Sequence, residues 1–512
     1  MSWLCLLAAL VLPAQAGRTG RSEKKDTPVE VVEEAPYTDE ERAEVFQAFT
    51  DAITKSDEGA ALEALADIVE DPEKEAFHGM AYASMGALLR KREYPYGALA
   101  VWAKAIELDP DNSGQVVKPA LEVADEIGDT AFLEQVFAAN VGLDVDAAER
   151  ARLAYLAARG AYAKGSLATT LAVLSLIPKD DPNFGKAQSL KGVALSRQGK
   201  YTEAMAALLA AQQLLKDDPE QLDIVNLNLA RTYYAAENYL KSIEFYAKVS
   251  RESHWWPEAQ FERAWAHFRV SDVNGALGIL HTHVTPFYKG WYFPEAQLLR
   301  GYSLFLICKF PEASEQIDSF QADWTPVRDE LEDKIRPMSK QDVFEDARRF
   351  LEDRDHSLPE MVLRDLPYDE RFKSSVASVD AAQKELDRLQ GDPNDWSQIA
   401  FNLVLDRRKA LILGEGGRIK TKIEAQADEL TGMLNDTEIA KLDMLKLETR
   451  LYEQASVSGE MPDIERVASR KERVRKGYVA WPYEGEFWAD EVGYYRVEAK
   501  PECPEGLMTG AK

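Results

Sequence analysis

Between about residues 40 and 325 apolar residues return every three or four positions, pause at a short turn, and resume. That period places them on one stripe of an α-helix, so the segment predicts a succession of amphipathic helices. In GMAYASMGALLRKREYPYGALAVWAKAIELDP the marks are Tyr82, Met85, Gly86 and Leu89, then Tyr94, Ala98, Trp102, Ala105 and Pro110. PEAQFERAW at 257–265 returns as PEAQLLRGY at 294–302, thirty-seven residues later. Similar punctuation sets Gly192, Leu195, Gly199, Tyr201, Ala204, Leu208 and Ala211 in register, and then Leu229, Ala230, Tyr233, Tyr239, Ser242 and Tyr246. Ala264, Ala276 and Leu280 follow, and then Gly301, Leu304, Phe310, Ala313 and Ile317. Weaker copies centre on Leu121 with Leu133, and on Ala158, Gly165 and Thr170 with Leu174.

The small residue of the second helix, or its substitute, falls at 98, 133, 170, 204, 242, 276 and 313, in steps of 35, 37, 34, 38, 34 and 37. A degenerate pair at about 38–70 puts Ala61 in the same slot, as an eighth unit or a cap. A generic helical bundle accounts for the 3.6-residue period but not for small residues at fixed offsets. Small residues such as Gly86 and Ala98 let two backbones approach, and aromatic rings such as Trp102 or Tyr246 fill the gap to the next pair. These marks match the pattern W-x2-L-G-x2-Y, A-x3-F-x2-A and P, and over residues 40–325 the chain resembles the tetratricopeptide (TPR) superfamily. The fold expected is all-α: a right-handed TPR superhelical solenoid followed by a helical C-terminal region with an aromatic tail. The resemblance implies scaffolding and peptide binding. One variant of the superfamily grips a terminal carboxylate with basic residues and Asn. Asn228 and Arg231 stand in suitable places here, but neighbouring slots hold Ser189, Val193, Glu258 and Glu262, so that basic clamp is not assembled.

Length agrees with an array, since 512 residues exceed the roughly 250–300 at which one core stops growing. With 61 basic and 88 acidic residues the formal charge is -27, a field that repels nucleic acid and anionic lipid. MSWLCLLAALVLPAQA joins an apolar run, Trp3 to Pro13, to the small-x-small triplet Ala14-Gln15-Ala16. It reads as a signal peptide over 1–16, cleaved after Ala16, with a periplasmic product and no transmembrane segment. Residues 17–37 read as a flexible leader. Cleavage leaves Cys308 and Cys503, either bridged or with Cys308 as a buried free thiol.

Candidate chemistry is sparse. Asn228, Arg231, Tyr233 and Tyr234 are expected to face a partner groove. Trp255, Trp256, Trp291 and Tyr292 sit in HWWPEA and GWYFPEA at turns between units, where they either meet a protein partner or close the turns against the stack. His281-Thr282-His283 has metal-compatible spacing without a third ligand nearby, and is expected to be solvated. GEGGR, 414–418, lacks the Lys-Ser/Thr of a phosphate loop and reads as a helix break. No catalytic, cofactor or metal constellation is predicted. The partners expected are protein or peptide segments of an envelope complex, with oligomeric state undetermined.

Past Pro326 the punctuation stops. Residues 326–475 carry helix-forming segments with apolar positions at Val376, Val379, Leu386 and Leu389, and Leu442, Leu445, Leu447 and Leu451 fit a packed face better than a heptad seam. In the tail, 476–512, Tyr478, Trp481, Tyr483, Phe487, Trp488, Tyr494 and Tyr495 interleave with Glu484, Glu486, Asp490 and Glu491. It is strapped onto the helices or held ready for a partner. TPFYKGWYFPEAQLLRGYSLFLICKFPEA together with WPYEGEFWADEVGYY is similar to exported TPR proteins of gliding and predatory bacterial envelopes. That resemblance implies a non-enzymatic periplasmic scaffold, some relatives serving surface motility. The alternative from composition is a cell-wall-binding or enzymatic module in the C-terminal third, with the repeats as a targeting arm.

Overall fold

The computed structural model describes residues 37–110, 114–129, 146–458 and 485–502. These are all-α, and most of their helices pack in consecutive antiparallel pairs. The first pairs are α1 (Asp39–Val45) and α2 (Gln47–Thr54) leading into α3 (Glu58–Glu70), and then α4 (His78–Lys91) with α5 (Pro95–Leu108). After α6 (Gly114–Ile127) come α7 (Ala147–Ala163) with α8 (Leu167–Leu174), and α9 (Phe184–Arg197) with α10 (Tyr201–Leu214). Three more pairs follow: α11 (Pro219–Ala235) with α12 (Tyr239–Tyr246), α13 (Trp256–Arg269) with α14 (Val273–His281), and α15 (Pro294–Leu306) with α16 (Phe310–Ile335).

The repeat is written most plainly in the backbone. Ser56, Glu93, Gly128, Gly165, Gly199, Glu237, Ser271 and Cys308 all have φ between 58° and 77°, and each ends the first helix of a unit. This left-handed residue turns the chain after the helix, and seven of the eight carry the accompanying 6→1 bond. The N–H groups of Asp57, Tyr94, Ser166, Lys200, Asn238, Asp272 and Lys309 donate to the carbonyls of Ala52, Leu89, Ala161, Leu195, Tyr233, His267 and Leu304 at 2.8–3.0 Å. Five residues beyond each left-handed residue stands the small position. Ala61, Ala98, Thr170, Ala204, Ser242, Ala276 and Ala313 are all 0% exposed. Leu133, the substitute expected in the third unit, lies outside the described residues, as do Cys5, Trp481, Cys503, the signal peptide and nearly all of the leader. A Cβ on Gly86 would lie 2.3 Å from Trp102 Nε1, and one on Gly192 would lie 2.4 Å from Leu208 Cγ, so these glycines set the spacing within their pairs.

The chain forms two compact units. The first comprises residues up to 184 with 340–348 and 369–419; the second comprises 185–339, 349–368 and 420 onward. Residues 326–458 thus contribute to both units. Pro326 lies inside α16, which continues to Ile335. Next come α17 (Lys340–Leu351), α18 (Glu360–Leu363), α19 (Glu370–Leu389) and α20 (Asp395–Ser458), the last shared by the two units. GEGGR, expected to break a helix, is helical throughout within α20. The physical reason is packing: a Cβ on Gly416 would fall 1.8 Å from Lys340 O, so the glycine admits the start of α17 at the cost of helix propensity.

In the first unit, α19 and the start of α20 engage the repeat turns. Tyr94, the N-cap of α5, makes no side-chain cap, and Glu385 takes over that role: its carboxylate accepts from Tyr96 N–H at 2.7 Å and Gly97 N–H at 2.8 Å. Arg388 donates to Glu93 O at 2.8 Å, and its guanidinium lies 4.1 Å from the Tyr94 ring centroid. Arg407 and Asp129 form a buried ion pair at 2.8 Å, completed by Tyr96 Oη donating to Asp129 at 3.1 Å. Trp396, 1% exposed, joins the apolar core of α3 to α7.

Candidate partner-binding surfaces of the second unit

First helices present residues three or four apart on one face, so Glu258 and Glu262 of α13 stand beside Arg231 of α11. Arg231 donates from Nε to both Glu262 oxygens at 2.9 and 3.0 Å, and from Nη2 to Glu262 and Glu258 at 2.7 Å each. Burial works against the guanidinium's charge, but Glu262 and Glu258 outweigh it and keep the group protonated. An arginine held this way has little left to offer a partner's carboxylate, so the absence of a basic clamp has a positive cause.

The carboxylates pay for their setting in proton affinity. Burial pushes Glu258 up to about 7 although Arg231 opposes the shift. It pushes Glu295 of α15 up to about 7 as well, with Glu429 of α20 adding repulsion. Burial raises Glu429 in turn. Tyr234 is half-buried, edge-on to Tyr239 at 5.2 Å, and raised to about 12 by burial. Tyr233 stacks on Phe245 at 5.2 Å and packs against the core of the α11–α12 region, and Asn228 is half-buried on the same helix.

The later part of α20 packs on the α15–α16 pair. Tyr292 Oη donates to Gln426 O at 2.7 Å, and Leu430, Met433 and Leu434 pack with Leu298 and Phe320. Tyr302 and Trp324 border that core, and Met444 reaches Phe310, Ala313 and Ile317. Gln321 and Lys441 add polar contacts, with Thr437 accepting from Gln321 at 3.0 Å and Asp318 pairing with Lys441 at 2.6 Å.

The turn aromatics divide. Trp256 is 7% exposed and belongs to the core, while Trp291 is half-buried and stacks on Phe293 at 6.2 Å. Trp255 is half-buried, its Nε1 has no hydrogen-bond partner, and it adjoins His254, which stacks on Tyr368 at 4.7 Å. Tyr368 and Phe287 remain about half exposed, at 52% and 47%. The histidines expected to be solvated are instead packed: His283 is 7% exposed with Nε2 at 2.9 Å from Pro257 O, and burial pushes it down to about 4. His281 is brought down to about 4 by burial and by Arg300. They close a short 3-10 turn, Thr282–Val284, under the aromatic layer rather than lining a loop.

The described part of the tail is strapped across α13 and α14. Val492 is 4% exposed in the core around Trp256, Trp488 is 58% exposed, and Cys308 is disulfide-bonded. Sequence reasoning missed Glu385, the Asp129–Arg407 pair and the close approach at Gly416. A charged residue such as Arg407, sharing a helical stripe with Val404 and Leu411, was the available signal.

No family model matches the chain, and no curated protein matches it. Among solved structures, a tetratricopeptide repeat protein from Parabacteroides merdae matches at 14% identity and TM-score 0.28, covering 55% of this chain and 93% of its own. The P58(IPK) TPR domain matches at 12% identity and TM-score 0.18, covering 73% of this chain and 99% of its own. The assignment to helix-pair repeats rests on the turns and buried small residues described above.

Proposed function

We propose that this chain is a non-enzymatic TPR scaffold that docks protein segments in a cell-envelope assembly. The observation that carries the reading is the run of eight left-handed turns, each ending the first helix of a unit, because helix pairs stacked this way present long surfaces that unrelated partners can share. The leader sequence supports a periplasmic setting, and the resemblance in the last two repeats and the tail suggests surface motility as one such assembly. With Arg231 and Tyr233 built into the packing, this reading assigns docking to aromatic rings of the second unit that stay in solvent: Tyr368, which stacks on His254 beside Trp255, and Phe287. The test is affinity capture from envelope extract with the full chain and with Phe287→Ala/Tyr368→Ala. Recovery of a defined protein that the folded double variant loses supports the proposal; equal recovery by both, or none by either, contradicts it. The described parts of the C-terminal third are integral to the two units, which leaves an autonomous cell-wall-binding or enzymatic module without an observation in its favour.

A further inference from the structure

The tail follows one stripe of α14, where Asn274, Gly278 and His281 stand at i, i+4 and i+7. Asn274 exchanges two hydrogen bonds with Ala499: its Nδ2 donates to Ala499 O at 3.2 Å and its Oδ1 accepts from Ala499 N–H at 2.9 Å. A Cβ on Gly278 would lie 2.6 Å from Tyr495 O, so this glycine admits the tail backbone to the helix surface. The tail answers with a glycine of its own. Gly493, at φ 88°, donates its N–H to Thr282 Oγ1 at 3.1 Å, and a Cβ there would lie 2.6 Å from the Trp256 ring. The His281 ring lies 5.6 Å from that of Phe487 and 4.7 Å from that of Tyr495. A side-chain amide that reads backbone in both directions, a glycine opposite backbone, and a pocket for Val492 together make a channel for a segment that turns at 489–493 and then runs on without regular structure.

We propose that residues 487–502 are a latched occupant of this channel and that a disulfide between Cys308 and Cys503 is the latch. Cys308 is disulfide-bonded, and Glu502 is bound on both sides of it. Its N–H donates to Ile307 O at 2.8 Å, and its carboxylate accepts from Lys309 Nζ at 2.6 Å. The residue after Glu502 therefore follows directly on an anchored neighbour of Cys308. A dithiol opens the latch by exchange: one thiolate attacks a sulfur of the bridge, the second thiol displaces the mixed disulfide, and the reagent leaves as a disulfide while two cysteine thiols form. Once open, the channel accepts a protein segment of the tail's own chemistry, with a turn that sets glycine and a small apolar residue against Trp256.

The test uses the full exported chain. Peptide mapping without reductant is expected to yield one cross-linked species joining the Cys308 and Cys503 peptides. Dithiothreitol is then expected to speed amide exchange at 493–502 at least tenfold, and a labelled peptide spanning 487–502 is expected to bind only the reduced chain. Cys308→Ser should behave as the reduced chain without reductant, because Ser56 and Ser271 occupy the equivalent turns. A different pairing of Cys308, or exchange and peptide binding indifferent to dithiothreitol, overturns the proposal. Failure to capture an envelope partner bears on the scaffold reading alone and leaves these results standing.

Discussion

The two units recruit the non-repeat helices by different physics. In the first, α19 and the start of α20 bind at repeat turns through directed polar contacts: Glu385 on the N–H groups of α5, Arg388 on Glu93 O, and Arg407 on Asp129. In the second, the later part of α20 packs on both helices of the α15–α16 pair through Leu430, Met433, Leu434 and Met444, with acidic groups brought together at Glu295 and Glu429. Polar contacts at turns fix one register, since each donor or acceptor left alone in the core is costly. Apolar packing is more tolerant, and the burial of Glu295, with Glu429 beside it, makes it dependent on pH.

The sharpest way to break the contrast is Asp129→Ala. It strands Arg407 in the core and is expected to cost about 3–5 kcal/mol in urea unfolding of the first unit, whereas a matched apolar replacement of both residues recovers most of the loss. In the second unit the largest effect should be electrostatic. Glu295 is raised from its ordinary value to about 7, so its contribution is fully present below about pH 4.5 and is lost as pH rises through 7. Glu295→Gln should therefore flatten the stability profile across that window, removing a dependence of about 3 kcal/mol. A smaller loss, about 1 kcal/mol, is expected for Tyr292→Phe, which deletes the bond to Gln426 O but leaves the ring packed. The smallest change should be a gain. Ser271→Gly relieves a left-handed backbone and should stabilise by about 0.5–1 kcal/mol in the same unfolding experiment.

The repeats were legible because their packing demands particular residues at particular offsets. Gly86 must be small because Trp102 lies against it, and Ala98, Ala204, Ala276 and Ala313 must be small because each is fully enclosed. The turns were half legible: Gly165 and Gly199 announce a left-handed backbone, whereas Glu93, Glu237 and Cys308 adopt it without any such signal. The C-terminal third was hardest to read. Its helices are held by partners hundreds of residues away, as Glu385 is by Tyr96, and no local pattern encodes such a distance. GEGGR misled for a related reason, since glycine in a helix marks either an end or a close approach, and only Lys340 distinguishes the two. Among the proposed site residues, Arg231 sat in plain view beside Glu258 and Glu262, but its four bonds to them depend on the spacing of α11 and α13.

The central claim is that the later part of α20 is built into the repeat stack of the second unit. A double-mutant cycle of Leu298→Ala and Leu430→Ala, read by urea unfolding of the full chain, tests it most directly. Residues packed in one core are expected to show a coupling of about 1 kcal/mol or more, and additivity within about 0.3 kcal/mol would contradict the account.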